Sequence, residues 1–271
     1  MYSLEESENL LSEFLSLPLD SADSVFDYFH LNIPEAQYIK GEKERERFLY
    51  LKGDRKDRVL LVAHADTVWD FTYINKKAIQ KTEKEQHCFK GTNPEYGIGA
   101  DDRAGCAMLY ALKESGHSLL IMDSEEYHKT AHQFLIKKHK KLLRELNRHQ
   151  YMLEIDLMGA GLCSSSRIAN TKKFEAYIKS ELSLKSTPKL DGLGTDISIL
   201  CKNICGMNIS CGYSSQHTGK ETLDTKQWHN TLCQLEAFLK KPQNRFKTDY
   251  VKRIKRLAKR IKDGVLRRIR K

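Results

Sequence analysis

Hydrophobic positions in the first thirty residues recur at the three- and four-residue spacing of a helix. Leucine and phenylalanine fall on one face over residues 4–15. The pattern returns over residues 20–29 after an Asp/Ser start signal. The sequence therefore predicts two N-terminal helices, within residues 1–45, that pack on the rest of the chain.

Further along the chain, short apolar runs alternate with helical stretches. The runs at 47–52 and 58–63 are separated by GDRKD, a turn composition, and predict a hairpin that enters a sheet. The later helices are predicted at 104–114, 130–146, 172–182, 196–201 and 226–239, and the later strands at 118–122, 151–157 and 207–211.

This alternation predicts the fold class. Strands that alternate with helices favour a mostly parallel, mixed sheet covered by helices on both faces. The run SLLIM at 118–122 is apolar at every position, as expected of a strand buried on both sides. The sequence thus predicts a single α/β domain over residues 1–242, followed by a separate C-terminal segment over 243–271.

Composition narrows the protein class. The chain has 271 residues, of which 40% are hydrophobic and 30% charged, and this excludes fibrous and disordered classes. No run approaches the roughly 18 apolar residues of a membrane helix, and the N-terminus is acidic, unlike a signal peptide. The seven cysteines are scattered and include no CxxC pair. We therefore expect a cytoplasmic protein with reduced thiols.

The net excess of positive charge lies in the C-terminal segment. Residues 243–271 hold thirteen Lys and Arg against two acids, so the net charge of +10 leaves −1 for residues 1–242. The basic overall composition therefore gives no reason to expect nucleic-acid binding by the main domain.

The C-terminal segment has the pattern of a basic amphipathic helix, because apolar positions recur at helical spacing and Lys and Arg occupy the other face. Four interpretations stay open: packing of the apolar stripe on the domain, or contact with an anionic membrane surface, nucleic acid or an acidic protein. The near absence of aromatic residues weakens the case for single-stranded nucleic acid. The apolar positions are Val251, Ile254, Leu257, Ala258, Ile261, Val265 and Ile269.

Side chains of metal-ligand type follow the predicted strands. Singly, each has a simpler interpretation, such as a local hydrogen bond, a helix N-cap or a solvated loop. Together, at one edge of a sheet, they would collect negative charge that two metal ions bridged by a carboxylate would neutralise. The candidates are His64, Asp66, Asp101, Glu125, Glu126, Asp156 and His217.

Six stretches stand in order along the chain and span about two thirds of it: LLVAHADTV (60–68), GIGADDRAGCAML (97–109), LLIMDSEEYH (119–128), EIDLMG (154–159), GLGTDISIL (192–200) and SSQHTGKETLD (214–224). In this order they resemble the motifs of the co-catalytic (di-zinc) metallo-exopeptidases. This clan holds metallopeptidase families twenty, twenty-eight and forty-two. The resemblance implies a zinc exopeptidase-like fold.

The resemblance also implies a ligand set for two zinc ions. By position in the motifs, His64 binds one ion and His217 the other, and Asp101 bridges the two. Glu126 is then a ligand of the ion held by His217, and Asp156 completes the site of the ion held by His64. Co²⁺ or Mn²⁺ would accept the same ligands.

Two further residues receive roles from the resemblance. Glu125 matches the general base that takes a proton from the metal-bridging water. Asp66 lies two residues after His64 on the same strand face, where it is expected to orient the imidazole. The family commonly has a cis peptide bond at the position of Asp101 and Asp102.

The implied activity is hydrolysis of peptide bonds by a zinc metallopeptidase. Asp at the position of Asp156 accompanies aminopeptidases more often than carboxypeptidases in this family, which favours an aminopeptidase. Two alternatives stay open. One is a carboxypeptidase, dipeptidase or N-acyl amino-acid deacylase with the same site, and the other is an inactive peptidase fold used as a binding module.

The chain departs from the family pattern after Glu126. It reads YHKTAHQF where the family usually places glycines, which predicts a reshaped specificity pocket. The same stretch opens a basic helix, and we expect its histidines His128, His132 and His139 on a solvated face rather than among the metal ligands.

Overall fold

The computed structural model describes residues 2–72, 81–127, 129–187, 194–256 and 258. The helices are α1 (Leu4–Leu15), α2 (Asp23–Asn32), α3 (Trp69–Thr72), α4 (Ala100–Ala111), α5 (Thr130–Lys138), α6 (Lys140–Leu146), α7 (Lys172–Glu181), α8 (Asp196–Leu200) and α9 (Thr225–Leu239). The strands are β1 (Gln37–Lys40), β2 (Arg47–Leu51), β3 (Leu60–His64), β4 (Thr82–Glu85), β5 (Cys88–Gly91), β6 (Ser118–Met122), β7 (Met152–Leu157), β8 (Leu162–Ser164), β9 (Lys185–Ser186), β10 (Gly206–Ser210), β11 (Tyr213–Ser214) and β12 (Thr222–Asp224).

The main sheet has eight strands in the order β1-β2-β6-β3-β7-β10-β8-β9. Its centre, β6-β3-β7-β10, is parallel, whereas β1 and β2 are antiparallel at one edge and β8 runs antiparallel to β10. A second, antiparallel sheet has the order β11-β12-β5-β4. The predicted α/β class with a mixed sheet is confirmed.

The predicted hairpin of β2 and β3 is wrong. Strand β6 lies between them, and Ile121 pairs with Leu49 on one side and with Ala63 on the other. The physical reason is that β6 is completely buried and needs a hydrogen-bonding partner on each edge. Strand β2 instead forms its hairpin with β1, a short and largely exposed strand without a strong apolar pattern.

Helices cover both faces of the main sheet. Along β3, Leu61 and Ala63 pack in a core that includes residues of α1, α2, α4, α7 and α9. Leu60 and Val62 point to the opposite core, which includes residues of α5, α6 and α8. This alternation follows from the two-residue period of a strand, and it holds the strand ends in fixed positions at the edge of the sheet.

The helix predicted over 130–146 is broken at His139, whose backbone leaves the helical region at φ −110° and ψ 46°. Its ring packs edge-on against Phe134, with centroids 4.7 Å apart. The solvated face predicted for the histidines is wrong for His132, which is buried with Nε2 2.6 Å from the Asp196 carboxylate. His128 lies outside the described residues.

Residues 243–249 lie against the domain. The buried Gln243 accepts a hydrogen bond from the Tyr151 hydroxyl. Phe246 packs on Phe174, with ring centroids 5.3 Å apart. The division of the chain at residue 242 therefore stays a prediction.

Residues 250–256 are helical, and most of the predicted C-terminal helix beyond them lies outside the described residues. Within the described ranges, no helix has the length and apolar character required to cross a bilayer.

A buried histidine makes the stability of the fold depend on pH. Nδ1–H of His149 donates to the Leu146 carbonyl oxygen at 3.0 Å, and its Nε2 accepts from the Ser118 hydroxyl at 2.8 Å. Burial lowers the pKa of His149 to about 4. Because this pKa lies below the ordinary value of about 6.5, the stabilisation is complete above that pH and is lost as the pH falls towards 4.

We expect His149→Gln to remove this part of the pH dependence. In the wild type, this residue accounts for about 3 kcal/mol of the unfolding free energy lost between pH 7 and 4. Urea unfolding at pH 7.0, 5.5 and 4.5 measures the slope. His30→Gln, an exposed histidine of α2, serves as the control and should keep the wild-type slope. An unchanged slope in His149→Gln would contradict the assignment.

Candidate metal centre and substrate cleft

Three of the predicted ligands, together with Glu125, converge at the carboxyl ends of adjacent parallel strands. His64 is the last residue of β3, and Asp156 is the second-last residue of β7. Glu125 and Glu126 follow shortly after the end of β6. Because β6, β3 and β7 are neighbours in the sheet, these side chains lie at one edge.

Asp101, near the N-terminus of α4, lies between the two histidines. Its Oδ1 is 3.1 Å from His64 Nε2, and its Oδ2 is 3.1 Å from His217 Nε2. Asp156 Oδ1 is 3.6 Å from His64 Nε2, and Glu126 Oε1 is 2.7 Å from His217 Nε2. The structure thus brings all five predicted ligands into two groups that share Asp101, with ligand atoms in each group within 4.8 Å of one another.

The donor set fits Zn²⁺. Each group offers one imidazole and two carboxylates, without a thiolate, which is the ligand type of zinc sites that keep a position open. The carboxylates of the site also carry more negative charge than the neighbouring cationic side chains neutralise. Burial, and then the neighbouring Asp101 carboxylate, raises the pKa of Asp156 to about 7. Burial, followed by the charge of Asp156, holds the pKa of Asp102 well above its ordinary value. A divalent cation would relieve both effects.

The surrounding carboxylates raise the pKa of both histidines of the site. Burial lowers the pKa of His64, but the carboxylates of Asp156 and Asp101 outweigh it and hold the pKa well above its ordinary value. Hydrogen bonds that its ring donates to the carboxylates of Asp101 and Glu126 raise the pKa of His217 to about 10. A metal ion that takes these imidazoles as ligands must displace their protons, so metal affinity should increase with pH.

Asp66 lies next to His64 and contacts its imidazole through the main chain more closely than through its carboxylate. Nδ1–H of His64 donates to the main-chain oxygen of Asp66 at 2.9 Å, and the carboxylate is 3.5 Å away. The carboxylate instead accepts the backbone N–H groups of Glu125 at 3.0 Å and Glu126 at 3.1 Å. Asp66 therefore positions both glutamates through their main chain, and its catalytic role stays a prediction.

Two acidic residues with no role in the sequence analysis hold the backbone of the site. Asp102 follows a cis peptide bond, and its carboxylate accepts the N–H of His64 at 3.1 Å. Glu221 accepts the N–H groups of Gly99 at 2.8 Å and of Asp101 at 3.1 Å. The sequence offered a signal for both residues. Asp102 directly follows Asp101, and Glu221 lies four residues after His217, each within a stretch that resembles a family motif.

Glu125 faces the cleft and contacts a cation that the sequence analysis did not identify. Its carboxylate forms an ion pair with the Nζ of Lys129, in the segment where glycines were expected. Burial raises the pKa of Glu125 to about 8, and the charges of Lys129 and His64 oppose this rise. The cation therefore holds the carboxyl group in one position and favours its ionised form.

The cleft next to the predicted metal ligands has a volume of about 320 Å³, which is large enough for a small peptide. Two of its lining residues form a hydrogen bond, in which the Tyr213 hydroxyl donates to Asp156 Oδ1 at 3.0 Å. Further lining residues are Lys129, Met158, Ser164, Ser166, Thr195 and Gln216.

Solved peptidase structures share this fold. The chain is similar to aminopeptidase PepT from Bacillus cereus, at 12% identity and a TM-score of 0.61, over 88% of this chain and 98% of that chain. It is also similar to a tripeptidase from Staphylococcus aureus, at 12% identity and a TM-score of 0.61, over 89% of this chain and 98% of that chain. TET1 peptidase from Pyrococcus horikoshii has 13% identity and a TM-score of 0.57, over 88% of this chain and 99% of that chain. No protein-family model and no curated protein sequence matches the chain. At such identities the similarity establishes the fold.

Proposed function

We propose that the protein is a di-zinc metallopeptidase, and specifically an aminopeptidase. The observation that carries this proposal is the position of Asp101, with one carboxylate oxygen 3.1 Å from Nε2 of each histidine. A carboxylate shared in this way is what a bridged pair of ions requires. Zn²⁺ is the proposed ion, with Co²⁺ or Mn²⁺ as substitutes.

The roles of the side chains follow from their positions. His64 and Asp156 would hold one ion and His217 and Glu126 the other. Bound zinc supplies a Lewis acid that polarises a carbonyl group and lowers the pKa of water. Glu125, whose carboxyl group lines the cleft, accepts the proton of the attacking water and then delivers it to the leaving amine.

A panel of matched substrates tests the proposal. We expect the zinc-loaded protein to hydrolyse leucine p-nitroanilide and a free tripeptide but not their N-acetylated forms, because the aminopeptidase assignment requires a free α-amino group. Preference for N-acylated amino acids or for removal of a C-terminal residue would support the deacylase or carboxypeptidase alternative. A folded protein without metal or turnover would support the binding module.

We also propose a cytoplasmic location and a peptide substrate. Support for the location is that all seven cysteines are free thiols and five of them are buried. For the basic C-terminal segment, the proposed partners remain an anionic membrane surface, nucleic acid or an acidic protein.

A further inference from the structure

Apolar side chains cluster on the outside of the helix at residues 250–256. The exposed fractions are 66% for Tyr250, 59% for Val251 and 48% for Ile254. Among the described residues, only two other large hydrophobic side chains are exposed, and both lie elsewhere in the chain. This concentration marks the helix as an interaction surface, because exposed apolar residues are otherwise scattered singly.

The opposite face of the helix contacts the domain. Lys252 Nζ donates to the Asn170 carbonyl oxygen at 2.9 Å, and one turn later the Arg256 guanidinium donates to the carbonyl oxygen of Ser198. Before the helix, the N–H of Asp249 donates to the Ala169 carbonyl oxygen at 2.8 Å. At these positions the usual orientation of an amphipathic helix is therefore reversed, since Lys252 and Arg256 contact the protein while Val251 and Ile254 face solvent.

Cations flank the exposed stripe. With about 100° of rotation per residue, Arg253 and Lys255 project from opposite edges of the stripe formed by Val251 and Ile254. The sequence of residues 257–271 continues the alternation, with seven cations, one acid and apolar residues at helical spacing.

We propose that the helix at residues 250–256 docks the protein on an anionic lipid membrane. An apolar stripe bordered by Lys and Arg matches the membrane interface, where apolar side chains enter the acyl boundary and cations meet the headgroups. Nucleic acid fits less well, because phosphates would leave the stripe in water while Lys252 and Arg256 are engaged by the domain. This docking is independent of the proposed peptidase activity.

Vesicle flotation of the full-length protein tests the proposal. We expect binding to vesicles of phosphatidylglycerol and phosphatidylcholine, and at least tenfold weaker binding to phosphatidylcholine alone. The double variant Val251→Gln/Ile254→Gln should bind anionic vesicles at least tenfold more weakly, because it removes the stripe without changing charge. Leu31→Gln, at an apolar residue of α2 that is 79% exposed, is the matched control and should bind like the wild type.

Three results would overturn the proposal. One is a wild type that does not float with anionic vesicles. Another is equal flotation of the wild type and the double variant, because vesicle binding would then be explained by nonspecific charge attraction without the apolar stripe. The third is a wild type that does not bind vesicles but sediments as a dimer, while the double variant sediments as a monomer. The stripe would then pair two copies of the chain. Truncation after Asp249 keeps residues 243–249 in place and should reproduce the double variant.

Discussion

Glu125→Gln should lower kcat by about 10²- to 10⁴-fold and leave the metal content unchanged. Glutamine preserves the shape of the side chain and its place in the cleft, but its amide cannot accept and return a proton. The carboxyl group is also well suited to this task, because it is largely buried and held by Lys129. The measurement is kcat on a free-amine substrate, with metal content determined on the same sample.

The neighbouring glutamate provides the matched control. Glu126→Gln changes the same chemical group one residue away, but at a side chain 2.7 Å from His217 Nε2. This variant should lose metal and activity together, whereas Glu125→Gln should lose activity alone. Near-normal turnover in Glu125→Gln would refute the assigned base.

Asp101→Asn should abolish the pair of bound ions and, with it, hydrolysis. We expect two ions per chain in the wild type after dialysis against dilute Zn²⁺, and at most one in the variant. The reason is that asparagine has no charge and presents an N–H donor where one of the two carboxylate oxygens faces a histidine. Metal analysis of the dialysed protein gives the stoichiometry before any substrate is chosen.

The control for this variant is Asp27→Asn, at an exposed position of α2. It should keep two ions and wild-type activity. Two ions in Asp101→Asn would exclude a bridging role for this carboxylate. A folded wild type without any ion would contradict the metal centre and favour a binding module.

The local pattern of apolar and polar residues was sufficient to predict most of the helices and strands. Helix α1 begins and ends at the residues predicted, and so does β6, because the periodicity that reveals each element is the same periodicity that buries its apolar face. The residue types proposed as metal ligands were also readable, since His64 and Asp156 stand out as polar residues at the ends of apolar runs. The convergence of these two followed from the rule that parallel strands end at one edge, whereas the start of α4 brings Asp101 to them.

The local pattern gave no signal for contacts between segments that are distant in the sequence. The insertion of β6 between β2 and β3 depends on pairing across about seventy residues, which strand composition does not encode. The support of the site by Glu221, the ion pair of Lys129 with Glu125 and the outward orientation of Val251 likewise depend on which surfaces meet after folding. The sequence by itself thus determined most of the element types, the residue types proposed as metal ligands and the amphipathic character of the C-terminal segment. Only the tertiary structure decided strand order, the residues that position the ligands and the face that the C-terminal helix presents, because these depend on long-range packing rather than local periodicity.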